Sequence, residues 1–99
     1  MLSQNYPNPF NSSTTIGYAL PERSHVTLTV FNTLGQQVAN LFQGEQEAGY
    51  HSGVFDAAGL ASSIYLYRLQ VRPLGSASGR DSKGGAGEFV QTQKAILVR

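Results

Sequence analysis

The sequence has no cysteine and only two histidines, and these absences remove several kinds of chemistry. Without cysteine the chain has no disulfide, no thiolate nucleophile and no thiolate ligand for zinc. His25 and His51 are predicted on different strands, and neither stands at a histidine–carboxylate spacing that binds a metal. We therefore expect no metal and no other cofactor.

Charge is also scarce. Charged residues make up 13% of the chain, about half of the usual share in soluble domains. The net charge is +1 and the Lys and Arg residues are scattered, so no basic surface for nucleic acid is predicted. No apolar run approaches the length of a membrane span, and residues 1–4 lack the features of a signal peptide. We expect no nucleic-acid partner and no membrane insertion, and an exported protein would carry its targeting signal outside this sequence.

The acidic residues do not suggest a catalytic pair. The nearest two, Glu45 and Glu47, fall in a predicted polar connection, where solvated carboxylates are expected. His51 and Ser52 are neighbours on one strand, so their side chains point to opposite faces and do not form a triad with Asp56. The sequence predicts no enzyme.

Alternating apolar residues predict β-strands along most of the chain. The clearest alternation is in residues 25–31, where Val26, Leu28 and Val30 share one side, and residues 32–35 supply a turn in which Gly35 takes a positive φ. Strands are also predicted at residues 14–20, 36–42, 50–56, 64–71 and 88–99. Residues 64–71 are expected to form a central strand whose inner face, which includes Tyr65 and Tyr67, lies opposite Val26 and its neighbours.

Two local assignments have alternatives. Residues 36–42 could form a short helix, but a strand with a bulge is favoured because no helix cap precedes them. Residues 21–24 lead either to an antiparallel partner of residues 14–20 or to a crossing between two sheets, and the sequence leaves both open. In the last predicted strand, the apolar run at residues 95–98 predicts that both faces of the strand are covered by other parts of the protein near its end.

Together these segments predict an all-β antiparallel sandwich of about six to seven strands in a single domain, residues 1–99. Residues 5–13 are expected to form an ordered lead-in rather than a strand, because two prolines and three asparagines favour turns there. Residues 73–87 are almost wholly small or polar, which predicts a flexible hairpin loop. Of the five tyrosines, only Tyr50 is expected to be free to bind a ligand.

A series of short motifs follows the predicted strands in order: residues 5–11 (NYPNPFN), 14–16, 19–21, 26–28, 34–35, 55–57, 59–62, 65–69 and 94–98. In this order, the motifs resemble those of the C-terminal sorting domain of the type IX (Por) secretion system. More loosely, they are similar to the immunoglobulin-like domain of flagellar hook-capping proteins. The departures are Ser12, Ser63 and the long segment at residues 73–87.

The resemblance implies an immunoglobulin-like fold at the C-terminal end of a larger cargo protein that is secreted or displayed at the cell surface via the periplasm. The implied partners are the outer-membrane type IX translocon, a sortase-like protease that removes or processes the domain, and the N-terminal cargo domains. The implied sorting signal lies at the C-terminal end: Lys94, Ala95, Ile96, Leu97, Val98 and Arg99. The alternative is an immunoglobulin-like accessory module that packs on a neighbouring catalytic domain or binds glycan.

Overall fold

The computed structural model describes residues 2–74 and 88–98, which form six strands and no helix. The strands are β1 (Ser13–Leu20), β2 (Ser24–Phe31), β3 (Gln37–Gln46), β4 (Gly49–Asp56), β5 (Ser63–Pro73) and β6 (Phe89–Leu97). One antiparallel sheet has the order β1-β4 and the other has the order β3-β2-β5-β6. The prediction of an all-β, immunoglobulin-like sandwich is confirmed.

In the part of the chain that the structure describes, no helix has the length and apolarity needed to cross a membrane. Of the predicted loop at residues 73–87, Pro73 belongs to β5 and residues 75–87 lie outside the described residues. The predicted flexibility of this loop therefore stays a prediction.

The turn after β1 carries the chain from one sheet to the other. β1 pairs with β4, whereas β2 pairs with β3 and β5, so the crossing is the alternative that the structure adopts. Pro21 ends β1 because proline has no amide hydrogen to continue the ladder. The buried Ser24 hydroxyl donates a hydrogen bond of 2.8 Å to the Glu22 carbonyl and fixes the entry into β2.

β2 and β5 are the two central strands of the larger sheet, as predicted for residues 64–71. Their inner residues are neighbours in register, with Val30 beside Tyr67 and Leu28 beside Leu69. The expectation that β5 faces β2 across the core is wrong, because these residues share one face of one sheet. The smaller sheet supplies the opposite wall of the core, and its contributors include Ile16, Tyr18, Leu20 and Phe55, all buried.

β3 is a strand rather than a helix, as favoured from the sequence. The register with β2 shifts between Leu28 and Thr29 and again between Val30 and Phe31, so the predicted irregularity is present. The strand continues to Gln46, which leaves only a short connection before β4. Glu45, which was predicted in the connection, therefore lies in β3, whereas Glu47 follows the strand. Their carboxylates lie 2.7 and 3.2 Å from the exposed Arg23 guanidinium. Such exposed ion pairs contribute at most about 1 kcal/mol.

The turn between β2 and β3 depends on one glycine. Gly35 has a φ of 85° and its amide donates to the Asn32 carbonyl at 3.0 Å. The Asn32 side-chain oxygen accepts hydrogen bonds from the amides of Leu34 and Gln36 at 2.9 and 3.0 Å. The predicted turn is confirmed, and asparagine closes it with its own side chain.

We expect Gly35→Ala to destabilise the domain by about 1–2 kcal/mol, because a Cβ disfavours the left-handed conformation. The matched control is Gly17→Ala, whose φ is not left-handed and whose new Cβ would lie 3.8 Å from the nearest atom, the His51 carbonyl oxygen. The control should unfold at the same or a higher urea concentration. Equal midpoints for the two variants would contradict the role assigned to Gly35.

Candidate functional site

The segment implied as the sorting signal begins in the last half of β6, at the edge of the larger sheet, and continues past the end of the strand at Leu97. The structure describes it from Lys94 to Val98, and Arg99 lies outside the described residues. Ala95 and Leu97 are buried, whereas Ile96 is 36% and Val98 51% exposed. The predicted cover on both faces is wrong, because the smaller sheet packs on the inner face alone and the outer face remains open to solvent.

The backbone of this segment is directed alternately toward and away from β5. Residues of an antiparallel strand alternate in this way along the ladder. Ile96 stands opposite Ile64, yet the amide and carbonyl groups of Ile96 bond to the N-terminal part of the chain. The backbone groups of Lys94, Ile96 and Val98 therefore point away from the sheet, as at any sheet edge.

Residues 2–10, which we call the N-terminal segment, cover this edge. The Phe10 amide donates to the Ile96 carbonyl at 2.9 Å, and the Val98 amide donates to the Phe10 carbonyl at 2.8 Å. Side chains complete the cover: the Asn8 amide oxygen accepts from the Ile96 amide at 2.9 Å, and the Gln4 side chain donates to the Lys94 carbonyl at 2.8 Å. Four hydrogen bonds thus occupy the outward backbone groups from the Lys94 carbonyl to the Val98 amide.

The same segment also pairs with β1. The Tyr6 and Thr15 amides each donate to the carbonyl of the other residue at 2.9 Å, and the Ser3 amide donates to the Gly17 carbonyl at 2.9 Å. Within the predicted lead-in at residues 5–13, the pairing with β1 is an isolated bridge at Tyr6, and Ser13 is the first residue of β1. The N-terminal segment therefore joins β1 of one sheet to β6 of the other.

Buried polar contacts attach the N-terminal segment to the core. Asn5 is 2% exposed, and its amide donates to the Tyr67 hydroxyl at 2.8 Å while that hydroxyl donates to the Ser3 carbonyl at 2.8 Å. The Asn5 side chain donates to the Thr14 hydroxyl at 3.0 Å, and this hydroxyl donates to the Pro7 carbonyl at 2.8 Å. Burial raises the pKa of Tyr67, and the hydrogen bond from Asn5 offsets part of that rise.

Sequence reasoning missed this network. The residues involved have no periodic pattern, and the available signal was the pair of polar residues, Asn5 and Thr14, on either side of a proline-containing stretch. Polar groups withdrawn from water need partners, so their burial explains why the segment is held in one conformation.

The remaining sequence candidates lie apart. His25 and His51 are on β2 and β4, in different sheets, and the His51 ring stacks on Tyr18 with centroids 5.7 Å apart. No group of three His, Asp or Glu side chains that could hold a metal occurs in residues 2–74 and 88–98. Tyr50 is 90% exposed, as predicted, and Tyr6, which was not predicted to be free, is 79% exposed.

The chain matches the model of a known protein family. Residues 4–74 match the model of the family described as the secretion system C-terminal sorting domain, and this range is more than half of the chain. The chain belongs to this family. The matched range runs from the N-terminal segment to the end of β5, so β6 lies beyond it. No curated protein and no solved structure matches the chain.

Membership of the type IX sorting-domain family has direct consequences for location and partners. A type IX C-terminal sorting domain travels through the periplasm to the cell surface or into the medium. It acts with the type IX secretion machinery on behalf of a larger cargo protein. The sorting domain therefore needs a surface that the machinery recognises.

Proposed function

We propose that residues 1–99 form one non-catalytic sorting domain, which directs a cargo protein attached to its N-terminal side across the outer membrane by the type IX system. The observation that carries this proposal is the family match over residues 4–74. Three contacts add support. Glu45 and Glu47 pair with Arg23, and His51 stacks on Tyr18, so these candidates for general acid–base chemistry have structural partners in the described residues.

Within the domain, we assign the signal to the C-terminal residues Lys94, Ala95, Ile96, Leu97, Val98 and Arg99. The side chains of Lys94, Ile96 and Val98 point outward from a sheet edge, which supports their contact with a receptor. Ala95 and Leu97 are buried and hold the strand on the core. After passage across the outer membrane, a sortase-like protease removes or processes the domain at the cell surface.

The proposal predicts the destination of a fusion protein. Residues 1–99 are fused to the C-terminus of a periplasm-exported reporter in a host with an active type IX system, and surface, medium and periplasmic fractions are compared. The intact fusion should leave the periplasm, whereas the reporter alone should stay there. An intact, folded fusion that accumulates in the periplasm would refute the sorting function.

Two variants of this fusion test the C-terminal assignment. Removal of residues 94–99 should abolish export, but it also removes the buried Leu97 and can unfold the domain. Lys94→Ala separates recognition from folding, because its side chain is exposed and its carbonyl still accepts the hydrogen bond from Gln4. We expect Lys94→Ala to unfold at the wild-type midpoint and to be exported less than Arg23→Ala, which removes a cation elsewhere. Equal export of these two variants would show that Lys94 is not part of the signal.

The accessory module remains the second candidate because the Tyr50 ring is 90% exposed on β4 and could stack on a sugar. A folded fusion that stays in the periplasm would favour it. Binding of the purified domain to a glycan array, lost in Tyr50→Ala, would then identify the ligand class.

A further inference from the structure

The outer face of β5 and β6 carries a cluster of exposed apolar side chains at one end of the larger sheet. Ile64 and Ile96 are direct cross-strand neighbours, 40% and 36% exposed, and Val98 follows at 51%. Leu66, half-buried, continues the cluster along β5 beside Lys94. Single exposed apolar residues are ordinary on a protein surface, but a contiguous group is typical of an interaction site.

Cationic side chains border this cluster on the same face. Lys94 stands opposite Leu66, and Arg68 follows two residues later on β5 with its guanidinium carbon 4.5 Å from the centre of the Phe31 ring. Within residues 2–74 and 88–98, the ion pairs join Arg23 to Glu45 and Glu47, and no carboxylate pairs with Lys94 or Arg68. We call Ile64, Leu66, Arg68, Lys94, Ile96 and Val98 the outer patch.

Two acidic residues, Glu45 and Glu88, lie toward the opposite end of the larger sheet from the outer patch. Glu45 is opposite His25 near the start of β2, whereas Leu66 is opposite Phe31 at the end of that strand. Glu88 directly precedes Phe89, which pairs with Val71 at the far end of β5 from Ile64. The outer patch itself has two cationic and four apolar side chains and no carboxylate, so an acidic surface with apolar side chains is its complement.

The backbone contacts decide how such a partner can bind. Strand addition uses the unpaired amide and carbonyl groups of a sheet edge. Between Lys94 and Val98 the N-terminal segment already bonds to these groups. The side chains on the outer face remain available without any rearrangement of the fold.

From these observations we propose that a protein of the type IX machinery binds the outer patch through an acidic surface with apolar side chains, and that it reads side chains rather than adding a strand to β6. The proposal rests on the sorting function proposed above and specifies its partner. It extends the recognised surface to Ile64, Leu66 and Arg68 on β5, outside the C-terminal segment.

Paired substitutions in the exported fusion test the apolar part. The double variant Ile64→Thr/Ile96→Thr keeps β-branched side chains on both strands, and we expect its export to fall about tenfold, the change that a loss of about 1.4 kcal/mol of binding free energy produces. The matched control is Val54→Thr, an exposed apolar residue on β4 of the smaller sheet, at 61% exposure. Purified domains of both variants should unfold cooperatively near the wild-type midpoint. Equal export of the double variant and the control would overturn the proposal.

A charge series at Lys94 tests the acidic character of the partner. Export should be retained in Lys94→Arg, lowered in Lys94→Gln and lowest in Lys94→Glu. Export of Lys94→Glu at the wild-type level would overturn the proposal that the partner surface is acidic.

Asn8→Ala tests the binding mode, because it removes the acceptor of the Ile96 amide and loosens the cover on β6. Unchanged or lower export agrees with side-chain recognition, whereas increased export would show that the partner adds a strand.

A lipid surface is the competing partner for a cationic and apolar patch. The purified domain is therefore mixed with phosphatidylglycerol vesicles and sedimented. If the proposal is correct, Lys94→Glu and the double threonine variant sediment with the vesicles to the same extent as the wild-type domain. Vesicle binding lost in Lys94→Glu and in the double threonine variant would assign the patch to a membrane and overturn the proposal. The sorting function is tested separately, since it fails only if the unmodified fusion stays in the periplasm.

Discussion

Truncation of Tyr67 should be among the most destabilising single changes in this domain. Its ring is fully buried in the central strand β5, beside Val30 of β2. Its hydroxyl also accepts from the Asn5 amide and donates to the Ser3 carbonyl, each at 2.8 Å. Tyr67→Ala should therefore lower the free energy of unfolding by about 3–5 kcal/mol, measured by urea denaturation at neutral pH.

Tyr67→Phe separates packing from hydrogen bonding. This variant keeps the ring and leaves the Asn5 amide and the Ser3 carbonyl without their partner, so we expect a loss of about 1–3 kcal/mol. Tyr50→Ala is the control, because that ring is 90% exposed and its removal should change stability by less than about 0.5 kcal/mol. If Tyr67→Ala unfolded at the same urea concentration as Tyr50→Ala, the central position of Tyr67 in the core would be wrong.

Phe10→Ala should have an effect of similar size although it lies outside every strand. The Phe10 ring is 2% exposed and packs at 5.8 Å between centroids against Phe55 of the smaller sheet. Its backbone bonds to Ile96 and Val98 at the edge of the larger sheet. Removal of the ring leaves a cavity where the two sheets meet, and a loss of about 3–5 kcal/mol is expected. A domain of this kind is stable by only about 5–15 kcal/mol, so much of its stability depends on this ring.

Tyr6→Ala is the matched control within the N-terminal segment. Its side chain is 79% exposed, while its backbone pairs with Thr15 in both directions. The substitution keeps these backbone hydrogen bonds and should leave the thermal midpoint nearly unchanged. A small effect of Phe10→Ala together with a large effect of Tyr6→Ala would reverse the assignment of inner and outer faces in this segment.

Much of the fold could be predicted because the sequence pattern of most strands indicates which of their side chains are buried. In β1, β2 and the second half of β5, apolar residues alternate with polar or small ones, and this period of two specifies both the strand and its inner face. β3 was ambiguous because Leu34, Val38, Leu41 and Phe42 also fit a helical spacing. The structure places Leu34 in the turn, 81% exposed, so only the other three pack on the core.

The surroundings of β6 could not be predicted in the same way. The run at residues 95–98 is apolar throughout, and such a run does not reveal that Ile96 and Val98 face solvent. The cover on the β6 edge comes from Asn8, Gln4 and the backbone of Phe10, which have no periodicity and contact residues almost a chain length away. Local patterns specify secondary structure, whereas a contact of this range depends on the completed topology.

The contact between the N-terminal segment and β6 also bears on the rate of folding. Its side-chain hydrogen bonds join residues 88 to 91 positions apart. Domains rich in such long-range contacts fold in roughly milliseconds to seconds, because the chain must lose loop entropy before those contacts form. While the chain ends are still apart, the amides and carbonyls from Lys94 to Val98 are open to other strands. A chain that folds after crossing a membrane would therefore be most prone to aggregation in that interval, before residues 2–10 reach the last strand.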